Sequence, residues 1–145
     1  MQKVKRAKKS ALLNKQLTAG GYRFTSQRQH VYDVLMGKRD HPTAEEVYLR
    51  SKLGKPEISI ATVYNCLDAL VKCNLVKQVK SERVAVRYCP NMKEHSHFYC
   101  DGCGMVHDVD YKPTAYQVQL PPGFQASQYE LSMRGLCSNC ANNRS

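Results

Sequence analysis

The chain has 145 residues, 42% of them hydrophobic, and a net charge of +10. This apolar content suffices for one core or two modest lobes, and no run approaches the roughly eighteen apolar residues of a membrane span. The basic N-terminus precedes no apolar stretch of the secretory type, so the sequence predicts a cytoplasmic protein with no membrane partner. The positive charge favours an anionic partner such as nucleic acid, although a merely basic surface would explain it equally well.

The N-terminal region is predicted to contain a basic tail and a first helix. The tail, residues 1–10, carries five basic side chains: Lys3, Lys5, Arg6, Lys8 and Lys9. We expect it to be disordered in the free protein, with contacts to phosphates or to a minor groove as the alternative. Residues 11–19 predict a helix that ends at Gly20 and Gly21, since glycine readily adopts the left-handed conformation after a helix.

Three further helices follow, each with a recognisable start. Ser26 is a candidate N-cap for the second helix, and Thr43 with Glu46 fits a capping box for the third. Ser59 precedes a fourth helix that is predicted to extend to about residue 73. Its core-facing residues recur at helical spacing: Val63, Leu67, Leu70 and Val71. Its other face is free for a partner and carries Thr62, Tyr64, Asn65 and Asp68.

Residues 75–80 and 83–89 are rich in β-branched side chains around Ser81 and Glu82, which predicts a hairpin. Helices followed by a hairpin are typical of a winged helix-turn-helix, whose second helix enters the major groove of DNA. A generic small α+β domain would show a similar order of elements.

The composition changes near residue 90, where histidines, cysteines and short strand-like runs begin. We predict strands at 98–100 and 105–109, a helix at 113–119 and a strand at 124–133. Together they form a βαβ-type unit that is too small to be stable without a cross-link such as a bound metal ion. The predicted organisation is therefore α+β, with a basic tail (1–10), a winged-helix DNA-binding domain (11–90) and a small α/β domain (91–145).

Two cysteine pairs are the strongest chemical signal. Cys100 and Cys103, like Cys137 and Cys140, are separated by two residues, a gap that lets both sulfurs of a turn reach one ion. Four thiolates form a closed tetrahedral shell that suits zinc and leaves no open position for catalysis. A redox dithiol or a chance arrangement is the competing interpretation.

Several motifs in this order resemble the Fur family (ferric uptake regulator-like) of bacterial metal-dependent repressors, from about residue 12 to residue 140. The matching segments are GYRFTSQR at 21–28, HPTAEEVY at 41–48, ISIATVYNCL at 58–67, RY at 87–88, HSHFYC at 95–100 and CGMVHD at 103–108. The resemblance implies that residues 91–145 are a dimerisation domain. It also implies that the homodimer binds a palindromic double-stranded operator and represses genes when a regulatory divalent metal is bound.

The resemblance also assigns a DNA-reading helix, the one that follows Ser59, with Tyr64 touching thymine and Ser59 as a further candidate DNA-binding residue. A tyrosine ring can pack on the thymine methyl group, while Thr62 and Asn65 offer hydrogen-bonding groups to base edges. Basic side chains would pair with phosphates, which positions the protein without specifying sequence. We expect this role for Lys15, Arg23 and Arg28.

For the regulatory metal, the family pattern indicates five candidate ligands: His41, Cys89, His95, His97 and Asp108. Residues two apart in an extended segment lie on the same side, so His95 and His97 can reach one ion. Iron, manganese and peroxide sensors of the family usually carry a carboxylate where this chain has Cys89, whereas zinc sensors often carry cysteine there. A thiolate with imidazoles favours zinc over manganese or iron, so a zinc-sensing (Zur-like) member is expected. Cys89 as a small buried hydrophobic residue is the alternative.

The leading prediction is a zinc-responsive repressor, with a peroxide- or iron-sensing Fur-type regulator as the alternative. A zinc-dependent enzyme is disfavoured because His95-Ser96-His97 lacks the glutamate of zinc deaminases and Cys100 is not preceded by proline. A zinc-stabilised interaction module without DNA binding is the remaining candidate.

Overall fold

The computed structural model describes residues 2–81, 84–93, 95–110, 119–127 and 131–143. The chain divides into two compact units, one within residues 1–92 and one within residues 93–145. Over the described ranges, no helix combines the length and the apolar character that crossing a membrane requires.

The N-terminal unit contains four helices and a hairpin. The helices are α1 (Gln2–Ala19), α2 (Ser26–Gly37), α3 (Ala44–Ser51) and α4 (Ile60–Lys72), and the strands are β1 (Lys77–Ser81) and β2 (Val84–Cys89). Helix α2 packs against both α3 and α4, and β1 pairs with β2 in antiparallel register. The predicted winged helix-turn-helix is therefore confirmed.

One apolar cluster holds this unit together. Leu17 of α1, Leu35 of α2, Val47 of α3 and Leu67 of α4 are each fully buried in it. Burying a side chain of this kind stabilises a protein by about 1.5–3 kcal/mol. The apolar spacing that predicted α4 thus marks the face that packs on α2 and α3.

Two of the three predicted helix starts are confirmed. Thr43 and Glu46 form both hydrogen bonds of the capping box, and Ser59 accepts a hydrogen bond from the Thr62 amide at the start of α4. At α2 the prediction of Ser26 is wrong, because Thr25 has the extended backbone of an N-cap and accepts from the Arg28 amide at 3.2 Å. Ser26 is the first helical residue.

The prediction of a disordered basic tail is also wrong. Helix α1 begins at Gln2 instead of residue 11 and includes all five basic side chains of that segment. Lysine, arginine, alanine and glutamine are good helix formers, and no glycine or proline interrupts them before Gly20. Intrinsic propensity therefore outweighs charge repulsion in this segment.

The C-terminal unit is built on a three-stranded sheet. Its strands are β3 (Ser96–Cys100), β4 (Val106–Val109) and β5 (Ser132–Gly135), followed by the short helix α5 (Ser138–Asn142). The strand order is β4-β3-β5, with β3 antiparallel to β4 and parallel to β5. β5 is parallel to β3 and therefore runs opposite to β4, while the helix of the predicted βαβ-type unit lies mainly outside the described residues.

The last strand is much shorter than the predicted 124–133. Residues 124–127 form no strand, because Gly123 turns the chain at φ 83° and the Phe124 amide donates to the Pro121 carbonyl at 3.1 Å. Three predicted features fall wholly or mainly outside the described residues: Glu82 and Arg83 of the hairpin turn, positions 128–130 of this strand and most of the helix predicted at 113–119.

Candidate metal centres and nucleic-acid interface

Four cysteine thiols converge at one end of the C-terminal unit. Cys100 is the last residue of β3, Cys103 follows in a turn, Cys137 precedes α5 and Cys140 lies within it. Their four Sγ atoms all lie within 4.8 Å of one another. The fold thus brings together the two pairs, which are distant in sequence, as a shared four-cysteine site requires.

Backbone contacts assemble this cluster. The Asp101 amide donates to the Gly135 carbonyl at 2.7 Å, which ties the turn after β3 to the end of β5. Gly102 approaches Cys140 so closely that a Cβ atom there would lie 2.8 Å from its Sγ. A side chain at position 102 would therefore push the two halves of the cluster apart.

The electrostatics of the cluster favour a cation. The Cys137 amide donates to Cys100 Sγ at 3.3 Å, and this contact, with further hydrogen bonds from the backbone of Cys103 and Gly102, lowers the pKa of the Cys100 thiol to about 6. Hydrogen bonds between the Cys140 thiol and the Cys100 and Cys137 sulfurs raise the pKa of Cys140 to about 12, which makes its thiolate unfavourable while no cation is bound. A divalent ion removes that penalty by stabilising all four thiolates, and the sulfur-only set fits zinc.

A second group of donors lies on β3 and β4. His95 Nε2 is 2.9 Å from His97 Nε2, and Asp108 Oδ1 is 3.1 Å from the first nitrogen and 3.3 Å from the second. The strand register sets His97 opposite Asp108, and His95 lies two residues earlier on the same side. Three of the five predicted regulatory ligands are therefore close together within this unit.

The tautomer of His95 suits a metal ligand. Its Nδ1 lies 2.6 Å from the Lys93 carbonyl oxygen, which can only accept, so Nδ1 carries the hydrogen. In the neutral ring, Nε2 then keeps its lone pair and faces His97 and Asp108. A backbone carbonyl in this position is a common second partner of metal-binding histidines.

The other two predicted regulatory ligands lie in the N-terminal unit. His41 precedes α3 and Cys89 ends β2, both are buried, and a ring nitrogen of His41 lies within 4.8 Å of Cys89 Sγ. The Tyr88 amide donates to the Pro42 carbonyl at 2.9 Å, and Arg87 donates to the His41 carbonyl at 2.9 Å. His41 itself has a positive φ of 54°, an uncommon conformation that these contacts hold in place.

The predicted base-reading residues occupy the start of α4, with differing availability. Tyr64 is 44% exposed and Asn65 is also exposed. The hydroxyls of Ser59 and Thr62 lie 2.9 Å apart, and Ser59 also caps the helix. Both hydroxyls are therefore already engaged, which leaves Tyr64 and Asn65 as the more available readers.

The predicted phosphate-binding residues differ in the same way. Lys15 and Arg23 are exposed. Arg28 is half-buried, donates to the Arg23 carbonyl and lies 5.4 Å from the centre of the Tyr22 ring. Arg28 thus braces the start of α2 in addition to any phosphate contact.

Two acidic residues that no motif identified lie close to the candidate sites. Glu45 accepts a hydrogen bond from the Tyr64 hydroxyl at 2.9 Å. Asp40 forms a bidentate pair with Arg50, with both distances 2.7 Å, just before His41. The only sequence signal was indirect: Glu45, the first carboxylate of the Glu45-Glu46 pair, has no part in the capping box.

Comparison with known proteins places these features in one family. The model of the Ferric uptake regulator family matches residues 19–134. The chain belongs to this family. The resemblance inferred from the motifs is thus confirmed for the Fur family as a whole.

The Fur relatives include peroxide regulators. The peroxide operon regulator of Bacillus subtilis is 32% identical over 124 residues, covering 83% of this chain and 86% of that protein. The solved peroxide stress regulator of Campylobacter jejuni is 27% identical, with a TM-score of 0.67 over 90% of this chain and 97% of its own. The Helicobacter pylori ferric uptake regulator has a TM-score of 0.73 at 24% identity over 93% of both chains, a likeness of fold.

Membership of the Fur family fixes the general activity. Its members are metal-responsive transcriptional regulators, and this protein is accordingly a DNA-binding, metal-binding repressor of that type and not an enzyme. The two clusters of potential ligands and the exposed start of α4 are the parts of the chain in which that activity can reside.

Proposed function

We propose that this protein is a dimeric repressor that binds a palindromic operator when one divalent ion occupies a regulatory site. The ligands proposed for that site are His41, Cys89, His95, His97 and Asp108. The proposal is carried by one observation, the convergence of His95 Nε2, His97 Nε2 and Asp108 Oδ1 within 3.3 Å. A cation bound between these three atoms would offset the electrostatic repulsion among their lone pairs.

The proposed mechanism is a shift between two conformational populations. Ligands from the N-terminal unit and from the C-terminal unit hold one ion, so metal favours the arrangement in which both winged helices of the dimer fit the operator. A coupling of about 1–3 kcal/mol between metal and DNA would change affinity about 5–150-fold. Because a transcriptional regulator must be in the compartment that contains the DNA, we propose that the protein is cytoplasmic.

Zinc is the proposed regulatory metal, with iron or manganese as the alternatives. Cys89 supports this choice, because a thiolate with imidazoles favours zinc over the harder ions. The proximity of Cys89 Sγ to His41 within 4.8 Å is compatible with a shared ion. A separate structural zinc is proposed for Cys100, Cys103, Cys137 and Cys140, where it would stabilise the dimerisation domain.

DNA recognition is proposed to centre on α4. Tyr64 and Asn65 would read base edges, with Ser59 and Thr62 at the helix start. Lys15, Arg23 and Arg28 would contact phosphates. The exposure of Tyr64 and Asn65 supports this division of roles.

A peroxide- or iron-responsive regulator is the second candidate, and the names of the relatives favour it. The peroxide-responsive repressor of Staphylococcus epidermidis is 31% identical to this chain, and the peroxide operon regulator of Bacillus subtilis is 32% identical. Against this stands Cys89, since a thiolate makes the site softer than one of nitrogen and oxygen ligands alone.

Metal titration distinguishes the two candidates. An operator is first selected from random duplex DNA with the zinc-loaded protein. Its binding by the metal-stripped dimer is then measured as zinc, iron(II) or manganese is added. The proposal predicts half-maximal operator binding at the lowest free concentration for zinc. Tighter response to iron(II), lost after peroxide treatment, would favour the second candidate, and operator binding independent of any added metal would contradict both.

A further inference from the structure

The start of α1 forms a positively charged extension of the N-terminal unit, which we call the cationic arm (residues 2–12). Every residue from 2 to 9 is exposed, and Leu13 is the first buried residue of the helix. At 1.5 Å per helical residue the arm is about 16 Å long. It therefore extends beyond the hydrophobic core of its unit.

The arm carries positive charge and no negative charge. Its basic residues are Lys3, Lys5, Arg6, Lys8 and Lys9, and the whole of α1 lacks aspartate and glutamate. Lys5 is three and four residues from Lys8 and Lys9, so these ammonium groups are neighbours on the helix and repel one another. A polyanion would remove that repulsion and stabilise the helix.

The distribution of charge points to DNA rather than to a lipid surface. At 100° per residue, the five basic side chains leave one arc of the helix free of charge, and that arc carries Val4 with only the small side chains of Ala7 and Ala11. Val4 and Leu12 are its exposed large hydrophobic residues, and the arm contains no aromatic residue. A helix that lies in a membrane interface needs a continuous apolar face opposite its charges.

We infer that the cationic arm is a second DNA contact, which binds phosphates of the duplex flanking the operator without reading its sequence. This inference rests on the proposed operator binding. It adds a contact outside the matched region of the family, which begins at residue 19. Phosphate contacts of this kind increase affinity for operator and unrelated DNA alike.

The test compares the full-length wild type with a combined Lys5→Gln, Lys8→Gln and Lys9→Gln variant. Affinity is measured between 50 and 200 mM salt on the operator alone and on the operator extended by about 10 base pairs at each end. The slope of log affinity against log salt should decrease by about 0.9 for each phosphate that the variant no longer neutralises. We expect this decrease on the extended duplex and little change on the short one.

Two further variants separate contact from overall charge. Combined Lys38→Gln, Arg39→Gln and Lys52→Gln removes the same charge from exposed positions near the ends of α2 and α3, and should leave the difference between the two duplexes unchanged. Replacing Lys5, Lys8 and Lys9 by arginine keeps the charge and should preserve the wild-type slope. Circular dichroism should show α1 helicity rising on addition of the extended duplex.

Three results would overturn the inference: an unchanged slope in the glutamine variant, an equal decrease in the control variant, or an effect confined to binding of phosphatidylglycerol vesicles. The last would identify the arm as a membrane contact. A wild type that binds no selected duplex in any metal state would instead contradict the proposed function, so the two failures are distinguishable.

Discussion

Tyr64 donates its hydroxyl hydrogen to Glu45 Oε1 at 2.9 Å, which joins the exposed start of α4 to the first turn of α3. This hydrogen bond raises the pKa of the tyrosine hydroxyl. The pKa of Glu45 is lowered by a hydrogen bond from its own backbone amide and by the one from Tyr64. With its hydroxyl engaged, Tyr64 presents its ring, which suits contact with a thymine methyl group.

Glu45 should therefore be a positioning residue for Tyr64. Glu45→Ala removes the acceptor and should weaken operator binding about fivefold, comparable with one net hydrogen bond. Glu45→Gln keeps an acceptor oxygen and should bind operator within about twofold of the wild-type affinity. In a Tyr64→Phe background, Glu45→Ala should have almost no further effect on operator affinity. Equal reductions for the alanine and glutamine variants in an equilibrium binding assay would contradict the positioning role.

Replacing operator thymines by deoxyuridine tests the ring contact directly. Uracil lacks the methyl group but keeps the hydrogen-bonding edge, so the wild type should lose affinity at the thymine that Tyr64 contacts. The same replacement should reduce the operator affinity of the Glu45→Ala variant by a smaller factor. A uridine operator that the wild type binds as tightly as the thymine operator would show that the ring does not contact that methyl.

Removal of a cysteine ligand should release the structural metal. Cys137→Ala or Cys140→Ala leaves three thiols, and we expect loss of zinc with unfolding of the C-terminal unit, because structural zinc contributes about 10–16 kcal/mol in small metal-dependent domains. Metal analysis and thermal unfolding measure this. Cys66→Ala, in the core of the other unit, should retain its zinc, and full zinc content in the Cys137 variant would argue against the assignment.

The Asp40–Arg50 pair predicts an acid-dependent part of the stability. The hydrogen bonds from Arg50 lower the pKa of Asp40, so the pair stabilises the fold above the unfolded value of about 3.9. That contribution, about 1 kcal/mol for a bidentate pair at the surface, is lost as pH falls through the lower folded pKa.

Chemical denaturation from pH 7 to pH 3 checks this prediction. The stability difference between the wild type and Asp40→Asn should be constant at neutral pH and should shrink below about pH 4. Lys38 lies 3.8 Å from Asp40 and its side chain is 70% exposed, so Lys38→Gln should have little effect. A difference that persists unchanged at pH 3 would rule out the ionic origin.

Gly20 and Cys73 should be coupled in stability. A Cβ atom on Gly20 would clash with Cys73 Sγ, whereas its next neighbours, Cys73 Cβ and the Gln16 carbonyl, lie at 3.5 Å. Gly20→Ala should therefore destabilise the fold by about 1–3 kcal/mol. In a Cys73→Ala background the same change should cost much less, and additive destabilisation in urea unfolding would contradict the coupling.

Local patterns in the sequence predicted much of the fold and of both ligand clusters. Thr43 with Glu46 and Ser59 start their helices through contacts within one turn, so three or four residues suffice to identify them. The two-residue gap between Cys100 and Cys103 likewise indicates that both cysteines lie in one turn. The register that sets His97 opposite Asp108 was available only through the family resemblance.

The predictions that failed concern segments whose structure is decided by opposing local effects or by a partner that is distant in sequence. The start of α1 balanced charge repulsion against helix propensity, and propensity prevailed. The strand expected at 124–133 has no residue paired before Ser132 in the part of it that the structure describes, since a strand requires a partner as well as suitable residues. The contact of Glu45 with Tyr64 joins residues nineteen positions apart on two helices, so no local pattern identifies it.

Metal-dependent operator binding by His95→Ala and His107→Ala is the most direct measurement of the central claim. His95 lies in the cluster with His97 and Asp108, whereas His107 is an exposed neighbour on β4 that pairs with Phe98. We predict that His95→Ala keeps its structural zinc and its fold but loses metal-stimulated binding, while His107→Ala responds to metal like the wild type. A His95→Ala protein that still binds operator only when metal is added, at wild-type metal concentration, would contradict the account.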